Sequence, residues 1–475
     1  MTMDPAKLRD RLRGIVKPLG GVASPASVVP AAADRAHALP SPSAPSPSED
    51  SAMRPSVASV QAPAVRRTRN LEQVLGGAWR TGDHARSFVV SRRFDADAQY
   101  GRMRVGDLAR QLNDAVHGAA LLALGVPCAP FVFFDLETTG LSGGAGTHAF
   151  LIGCAWFDAD GSFIVEQHLM TDYAAERSML TLVAQDLSRA GALVTFNGKS
   201  FDAPVIETRY LFHRLTSPCA QIPHVDVLHP ARRFWGGHAD LGCSLIALEQ
   251  QLLGARRIGD VPGFEIPERY FQFVRGGDAQ PLADVFEHNR LDLLSLAGLT
   301  ARLLALITGG AHSTDDAREC LALGRVYERA GESTRADVAF ERAASLAAAA
   351  QAAVGVHAPR RQTLDWVWTL PGIRAEALRS LAVNARRSRR FDTAAEWWRQ
   401  LLEVPGCSAQ LRREATEALA IHHEHRDRDL AAAKMFALKS LETGAEAAWG
   451  DAVRHRLARI ERKMTNERSL FPSSP

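Results

Sequence analysis

A buried strand that ends in two carboxylates is the feature that most restricts how this chain can fold. Residues 131–141 read FVFFDLETTGL, and the four consecutive apolar residues predict a strand inside the protein. Asp135 and Glu137 lie two positions apart, so both side chains point to one face of that strand. A hard divalent cation such as Mg²⁺ or Mn²⁺ binds oxygen ligands and would relieve the repulsion between them. A strand that simply reaches solvent at its edge is the alternative.

A second segment places another carboxylate after a strand. Residues 192–204 read ALVTFNGKSFDAP, which predicts a buried strand, a glycine-containing turn and then Asp202 at the start of a helix. Asparagine and aspartate are also common turn and cap residues, so a purely structural role is the alternative. Lys199 is one of only six lysines beside 50 arginines. The presence of a lysine at this position in an arginine-rich chain is explained equally well by a phosphate contact and by chance.

The third segment is a predicted helix at residues 284–296, which read DVFEHNRLDLLSL. His288 and Asp292 are four positions apart and therefore share one face of the helix, with Asp284 one turn earlier. Taken alone, these residues would form an exposed polar face. Following the first two motifs in chain order, they predict that His288 and Asp292 join a single carboxylate-rich site.

Together the three motifs resemble those of the DEDD exonuclease superfamily. Asp135 and Glu137 in DLETTG, Asp202 in NGKSFDAP and Asp292 in HNRLD match its metal-binding carboxylates. The resemblance implies a ribonuclease H-like α/β fold, a mixed sheet flanked by helices, and 3′–5′ cleavage of DNA or RNA with two Mg²⁺ or Mn²⁺ ions. It is strongest to the YprB-like bacterial branch, through LSGGAGTHAFLIG at 141–153, LEQQLLG at 248–254, DVPGFEIPERYF at 260–271 and HNRLDLLSL at 288–296.

The resemblance also implies a general base, but this chain departs from the usual patterns. Members of the superfamily carry a tyrosine four residues before the last aspartate or a histidine five residues before it. His288 is a histidine at the tyrosine's spacing. With an ordinary pKa near 6.5, it would still suit a base that deprotonates water. The residues expected to contact the nucleotide are Thr138, Thr139, Asn197, Lys199 and Phe201, and Asp226 is expected to be a buried strand-end aspartate.

Composition along the chain predicts how it is organised. Residues 1–20 predict a short basic helix, and residues 21–66, which hold eight of the 24 prolines, predict a disordered linker. Residues 67–308 are expected to form the ribonuclease H-like domain, with its core at 126–305. Within it we expect strands at 87–94, 131–135, 148–157, 163–169 and 192–196, and helices at 105–124, 175–189 and after Pro204.

From residue 312 to 465 strand signals vanish, and an all-α region is expected. Small and large residues there follow the spacing of tetratricopeptide repeats. The clearest copy consists of Gly324, Tyr327, Gly331, Ala336, Phe340 and Ala343. Later copies are weaker and unevenly spaced, so an irregular helical bundle is the alternative to a stack of helical hairpins.

Composition excludes several classes of protein. An apolar fraction of 46% excludes a wholly disordered chain, and the absence of an apolar run of about 20 residues argues against a membrane protein. Six cysteines without CxxC spacing, and a start without the apolar stretch of a secretory signal, favour a reduced, cytoplasmic protein.

The favoured function is a metal-dependent 3′–5′ exonuclease acting on nucleic acid. The net charge of +3 is unevenly distributed, because residues 351–475 carry 21 Lys and Arg against 15 Asp and Glu. This helical region could therefore contact a phosphate backbone or a protein partner. Two alternatives are a non-catalytic scaffold that binds nucleic acid or protein through a nuclease-like fold, and a ribonuclease H-type endonuclease.

Overall fold

The computed structural model describes residues 71–81, 86–123, 125–140, 146–236, 242–354, 369–442 and 447–470. The helix expected at 1–20 and the linker expected at 21–66 lie outside these residues. The strands are β1 Ala78–Thr81, β2 Arg86–Phe94, β3 Gln99–Tyr100, β4 Met103–Arg104, β5 Phe131–Thr138, β6 Ala149–Phe157, β7 Phe163–Leu169, β8 Ala192–Thr195 and β9 His224–Asp226.

Helices flank and follow these strands. Among the described residues, the α-helices that precede the all-α region are α1 Leu71–Leu75, α2 Val105–Asp114, α3 Glu176–Leu187, α4 Asp202–Phe212, α5 Leu228–Trp235, α6 Leu245–Leu248, α7 Ile266–Gly276 and α8 Ala283–Gly309. Those that follow are α9 Ala317–Ala330, α10 Ser333–Val354, α11 Leu370–Arg387, α12 Phe391–Leu402, α13 Ala409–His422, α14 Leu430–Glu442 and α15 Ala447–Leu470.

Seven strands form one mixed sheet in the order β1-β2-β7-β6-β5-β8-β9. The neighbouring strands β1, β2, β7, β6 and β5 pair antiparallel in that order. Strands β5, β8 and β9 run parallel to one another. The expected mixed sheet flanked by helices is thus confirmed. Because β5, β8 and β9 are parallel, their carboxyl ends, and the polar residues that follow them, lie at the same edge of the sheet.

Strand β5 is buried on both faces, which explains its continuous apolar run. Phe131 and Phe133 belong to one hydrophobic cluster, and Val132 and Phe134 belong to another. Helix α8 contributes most of its apolar residues to the first cluster. The segment Gln280–Gly309 is long and apolar enough to cross a membrane, but 72% of its most apolar window is buried, so it is the core helix of this fold.

The region after residue 312 is helical in every part that the structure describes, as expected. Gly324 in α9 lies against the ring of Phe340 in α10, where a Cβ atom would come within 2.4 Å of a ring carbon. Gly331 has a φ of +79° and ends α9 before the chain turns into α10. The repeat-like spacing therefore marks a tightly packed helical hairpin, and its assignment to tetratricopeptide repeats stays a prediction.

The sheet and the helical region share one hydrophobic cluster. It runs from β5 and α8 through α9 and on to α13. A buried carboxylate reinforces this junction: Glu319 in α9 accepts hydrogen bonds from the Trp235 indole (2.8 Å) and from Arg302 in α8 (2.9 Å). The division into domains at 308 and 312 stays a prediction, and removal of the helices would expose a large apolar surface.

Candidate active site

The two carboxylates of β5 occupy the place that strand periodicity predicts. Asp135 and Glu137 continue the series of Phe131 and Phe133, so they lie on the face of the sheet that α8 covers. Strand β5 ends there with an irregular register against β6 between Glu137 and Thr138. This position puts both carboxylates at the sheet edge where β8 and β9 also end.

The two threonines after Glu137 organise the loop that follows. The Thr138 hydroxyl donates to the Gly140 carbonyl (3.0 Å). Thr139 accepts a hydrogen bond from the His148 backbone at its hydroxyl (3.0 Å) and donates its own backbone N–H to the His148 carbonyl (2.9 Å). These bonds join the backbone at Thr139 to the backbone at His148, just before β6 begins. A nucleotide contact by either threonine stays a prediction.

The turn after β8 is held by an aspartate at the end of β9. The Asp226 carboxylate accepts backbone N–H groups of Asn197 (2.8 Å), Lys199 (3.0 Å) and Leu228 (3.1 Å). Asn197 has a φ of +71°, a conformation that asparagine tolerates better than most residues. Asp226 is therefore a structural anchor, while the Asn197 and Lys199 side chains are exposed at the edge of the site.

That anchored turn delivers the third predicted carboxylate. Asp202 is the first residue of α4 and is only 5% exposed, and half-buried Phe201 precedes it. Its charge is close enough to Asp135 and Glu137 to raise the pKa of each of them. The structure thus brings Asp202 to the carboxylates of β5, as the sequence predicts.

Helix α8 adds a residue that sequence reasoning missed. The Asn289 side-chain amide donates to Asp135 Oδ2 (2.8 Å), and Gln167 in β7 donates to Asn289 Oδ1 (2.9 Å). Gly153 in β6 makes room for this contact, because a Cβ there would lie 2.5 Å from Asn289 Oδ1. One oxygen of Asp135 is therefore held in place by a single neutral donor, which Gln167 orients in turn. A glycine inside a buried strand was the signal of this close approach.

A buried arginine also lies within the carboxylate group, and the sequence reasoning did not find it. Arg257 Nη2 donates to Asp292 Oδ1 (2.6 Å) and Glu249 Oε2 (2.7 Å), and Nη1 donates to Asp260 Oδ2 (3.2 Å). The Arg257 side chain is 3% exposed. Glu249, the only charged residue in the run LIALEQQLL at 245–253, was the available signal, since a buried acid needs a cationic partner.

His288 lies between two carboxylates. Its Nδ1 is 2.7 Å from Asp260 Oδ1, and its Nε2 is 3.4 Å from Asp292 Oδ2. His288 and Asp292 therefore share a helix face, as predicted, while Asp260 had not been assigned a role. Asp284, one turn earlier, is exposed and paired with Arg269 (2.6 Å), so it stands apart from the group.

Comparison with known proteins agrees with this architecture. A family model described as the RNase_H superfamily matches residues 132–304. The mixed sheet flanked by helices in this segment agrees with a ribonuclease H-like fold. An uncharacterized protein of Bacillus subtilis (strain 168), YprB, is 29% identical over 337 residues, which span 70% of this chain and 75% of YprB. Residues 132–304 contain every residue of the carboxylate group described above.

The carboxylates of this ribonuclease H-like domain raise one another's pKa values. Burial, and then the charges of Asp292, Glu137 and Asp202, raise the pKa of Asp135 well above its ordinary value. Burial, and then Asp292, Asp202 and Asp260, do the same for the pKa of Glu137. Burial, and then Asp226, raise the pKa of Asp202 to about 7. Buried like charges of this kind are characteristic of sites built for a counter-ion or for catalysis.

Asp292 has a different balance of charges. Burial raises its pKa, while the Arg257 guanidinium and then His288 act in the opposite direction, and the pKa remains above its ordinary value. The arginine therefore compensates only part of the negative charge of the group. The uncompensated negative charge lies on Asp135, Glu137 and Asp202. These three residues have no cationic hydrogen-bond partner among the contacts that the described residues make.

This donor set fits a hard divalent cation of the kind that ribonuclease H-like nucleases commonly use. Asp135, Glu137, Asp202 and Asp292 offer oxygen atoms only, which suits Mg²⁺ or Mn²⁺ rather than a softer metal. Among the described residues, no three of these side chains place ligand atoms within 4.8 Å of one another. A shared cation would offset the electrostatic cost of bringing these carboxylate oxygens together.

Proposed function

We propose that this chain is a 3′–5′ exonuclease that hydrolyses phosphodiester bonds of DNA or RNA. Asp135, Glu137, Asp202 and Asp292 would hold two Mg²⁺ or Mn²⁺ ions, with His288 as general base. The observation that carries the proposal is the meeting of four carboxylates, from the end of β5, the start of α4 and helix α8, at one edge of a ribonuclease H-like fold. A purely structural role would not require so much uncompensated buried charge.

The reaction follows from this arrangement. Bound cations would supply positive charge that neutralises the phosphate and stabilises charge developing on the oxygens. His288 Nε2, on the side of Asp292, would accept the proton of the attacking water. Water oxygen bonds to phosphorus, the bond from phosphorus to the 3′ oxygen breaks, and that oxygen takes a proton from solvent. The products are a nucleoside 5′-monophosphate and a strand shortened by one nucleotide.

The substrate would enter past the loops that border the carboxylates. Lys199 is exposed on the anchored turn, where its ammonium group could contact a phosphate. The other residues proposed to contact the terminal nucleotide are Thr138, Thr139, Asn197 and Phe201. In the described part of the chain, the basic helical region would add attraction for nucleic acid or would bind a protein partner.

A matched set of variants tests the nuclease proposal. Purified full-length protein is incubated with 5′-labelled single- and double-stranded DNA and RNA plus Mn²⁺, next to Asp135→Asn and the control Asp284→Asn. We expect stepwise shortening by the wild type and by Asp284→Asn, and a loss of at least about 10³-fold for Asp135→Asn. His288→Ala should lower the rate by about 10² to 10⁴-fold.

Blocked and circular substrates separate the competing functions. A 3′-blocked strand should resist an exonuclease, whereas cleavage of a circle would identify an endonuclease of the ribonuclease H type. Equal activity of wild type and Asp135→Asn would reveal a contaminating nuclease. Binding of nucleic acid without cleavage under any of these conditions would favour the scaffold function and contradict the proposal.

A further inference from the structure

A closed ring of contacts joins four side chains, one of which is the proposed metal ligand Asp292. Arg257 contacts Asp260 (3.2 Å) and Asp292 (2.6 Å) through its two terminal nitrogens. His288 contacts the same two carboxylates through its two ring nitrogens, at 2.7 Å and 3.4 Å. Each carboxylate therefore presents one oxygen to the arginine and the other to the histidine.

We propose that Asp260 is a positioning residue that fixes the orientation and tautomer of His288. This inference rests on the proposed function for its catalytic meaning, but the hydrogen-bond geometry stands independently. Asp260 Oδ1 lies 2.7 Å from Nδ1, the shorter of the two His288 contacts, and in this proposal the carboxylate oxygen accepts the Nδ1 hydrogen. With Nδ1 as the donor, Nε2 carries the lone pair and faces the side of the carboxylate group.

Asp260 is itself held in the orientation that this role requires. Its second oxygen is occupied by Arg257, which is anchored in turn by buried Glu249. Both Asp260 oxygens therefore have donors, unlike those of Glu137, for which no hydrogen bond to another described side chain is found. Asp292 shares this double contact, so metal affinity has to decide whether Asp260 is a positioning residue or a further ligand. Orienting carboxylates of this kind typically change activity by about 10 to 100-fold when they are removed.

The first test reads the tautomer directly and does not depend on activity. Protein labelled with ¹⁵N-histidine is studied by NMR at about pH 9, well above the ordinary histidine pKa of about 6.5, with the His288 signals identified by their loss in His288→Gln. We expect Nδ1 to be protonated and Nε2 to be unprotonated in the wild type. Asp260→Ala should shift the ring toward the other tautomer, while Asp284→Ala should leave it unchanged. A wild-type ring protonated on Nε2 would overturn the proposal.

A second test uses a double-mutant cycle and metal binding. Asp260→Ala should lower kcat by about 10 to 100-fold with little change in KM, and Asp260→Asn, which keeps an acceptor oxygen, should retain more activity. In a His288→Ala background the substitution should cost almost nothing, because Asp260 acts through His288. If the double variant instead loses activity by the product of the two single losses, the two residues act independently and Asp260 does not work through His288.

Mn²⁺ affinity then separates a positioning residue from a ligand. We expect Asp260→Ala to bind Mn²⁺ within about twofold of wild type. A loss of tenfold or more would show that Asp260 coordinates the metal and would overturn the proposal. A wild type without nuclease activity would refute the proposed function alone, since the NMR and Mn²⁺ measurements would still decide the role of Asp260.

Discussion

Arg257 Nη2 lies 2.6 Å from Asp292 Oδ1, which places a buried guanidinium against one of the proposed metal ligands. The same nitrogen is 2.7 Å from Glu249 Oε2. A helix residue and a loop residue, 35 positions apart, are thus joined by opposite charge inside the site. This arginine therefore offsets part of the negative charge of the carboxylate group.

Replacement of Arg257 by methionine should destabilise the protein in EDTA by about 3 to 5 kcal/mol, because it leaves buried Glu249 and Asp292 without their cation. Thermal and urea denaturation measure the loss. Added Mn²⁺ should then raise the melting temperature more than it does in wild type. The control Arg275→Met breaks an exposed pair with Glu268 and should change stability by less than about 1 kcal/mol. Equal effects of the two substitutions would contradict the interpretation of Arg257.

Stability without metal should fall as pH rises. The folded pKa of Asp202 is about 7, against an ordinary value of 3.8, so the folded state holds its proton more tightly than the unfolded state. Its destabilising effect therefore develops from about pH 4 to pH 7 and amounts to at most about 4 kcal/mol. The pKa values of Asp135 and Glu137 are also raised in the folded state, so their loss of protons lowers the stability as well.

Denaturation in EDTA at pH 5.5 and pH 8 measures this effect. Asp202→Asn should be less sensitive to pH than wild type, and Mn²⁺ at pH 8 should restore stability to the wild type. Exposed Asp284→Asn serves as the control and should follow the wild-type curve. A wild type that is more stable at pH 8 than at pH 5.5 in EDTA would contradict the assigned pKa direction.

Asp226→Asn should loosen the turn after β8. The substitution replaces one carboxylate oxygen by an amide that cannot accept the hydrogen bonds now made to Asn197, Leu228 or Lys199. We expect a loss of about 1 to 3 kcal/mol in urea denaturation. Because Asp226 anchors the turn that carries Asp202, the Mn²⁺ affinity should fall by about 10-fold together with the stability. A much larger fall in affinity at unchanged stability would instead identify Asp226 as a metal ligand.

Gly324→Ala should destabilise the first helical hairpin, against the usual benefit of alanine in a helix. The new Cβ would approach the Phe340 ring to 2.4 Å, so we expect a cost of about 1 to 3 kcal/mol. Gly276→Ala, whose Cβ would meet no atom within 4 Å, is the matched control and should be neutral or slightly stabilising. Phe340→Leu should reduce the cost of Gly324→Ala if the contact is responsible for it.

The local pattern of apolar and polar residues in the sequence was enough to predict the main strand and helix of the site in this ribonuclease H-like domain. The apolar run before Asp135 predicted a central buried strand, and the alternation of side chains predicted that Asp135 and Glu137 share a face. Spacing of four residues placed His288 and Asp292 together on α8. These properties depend on the period of a strand or a helix, which the sequence expresses directly.

Long-range partners could not be predicted in this way. Asp135 meets Asn289 across 154 residues, His288 meets Asp260 across 28, and both contacts depend on how loops and α8 pack. The same holds for the shared core of the sheet and the helical region, since burial depends on neighbours distant in the chain.

The sequence by itself thus determined the strand, the helix and the carboxylates that make a cation site chemically reasonable. Only the tertiary structure decided that Asp260 and Asp292 flank His288 and that the buried Arg257 joins these two carboxylates. The physical reason is that periodicity sets the direction of a side chain within its own element, whereas a partner is chosen by the packing of one element against another.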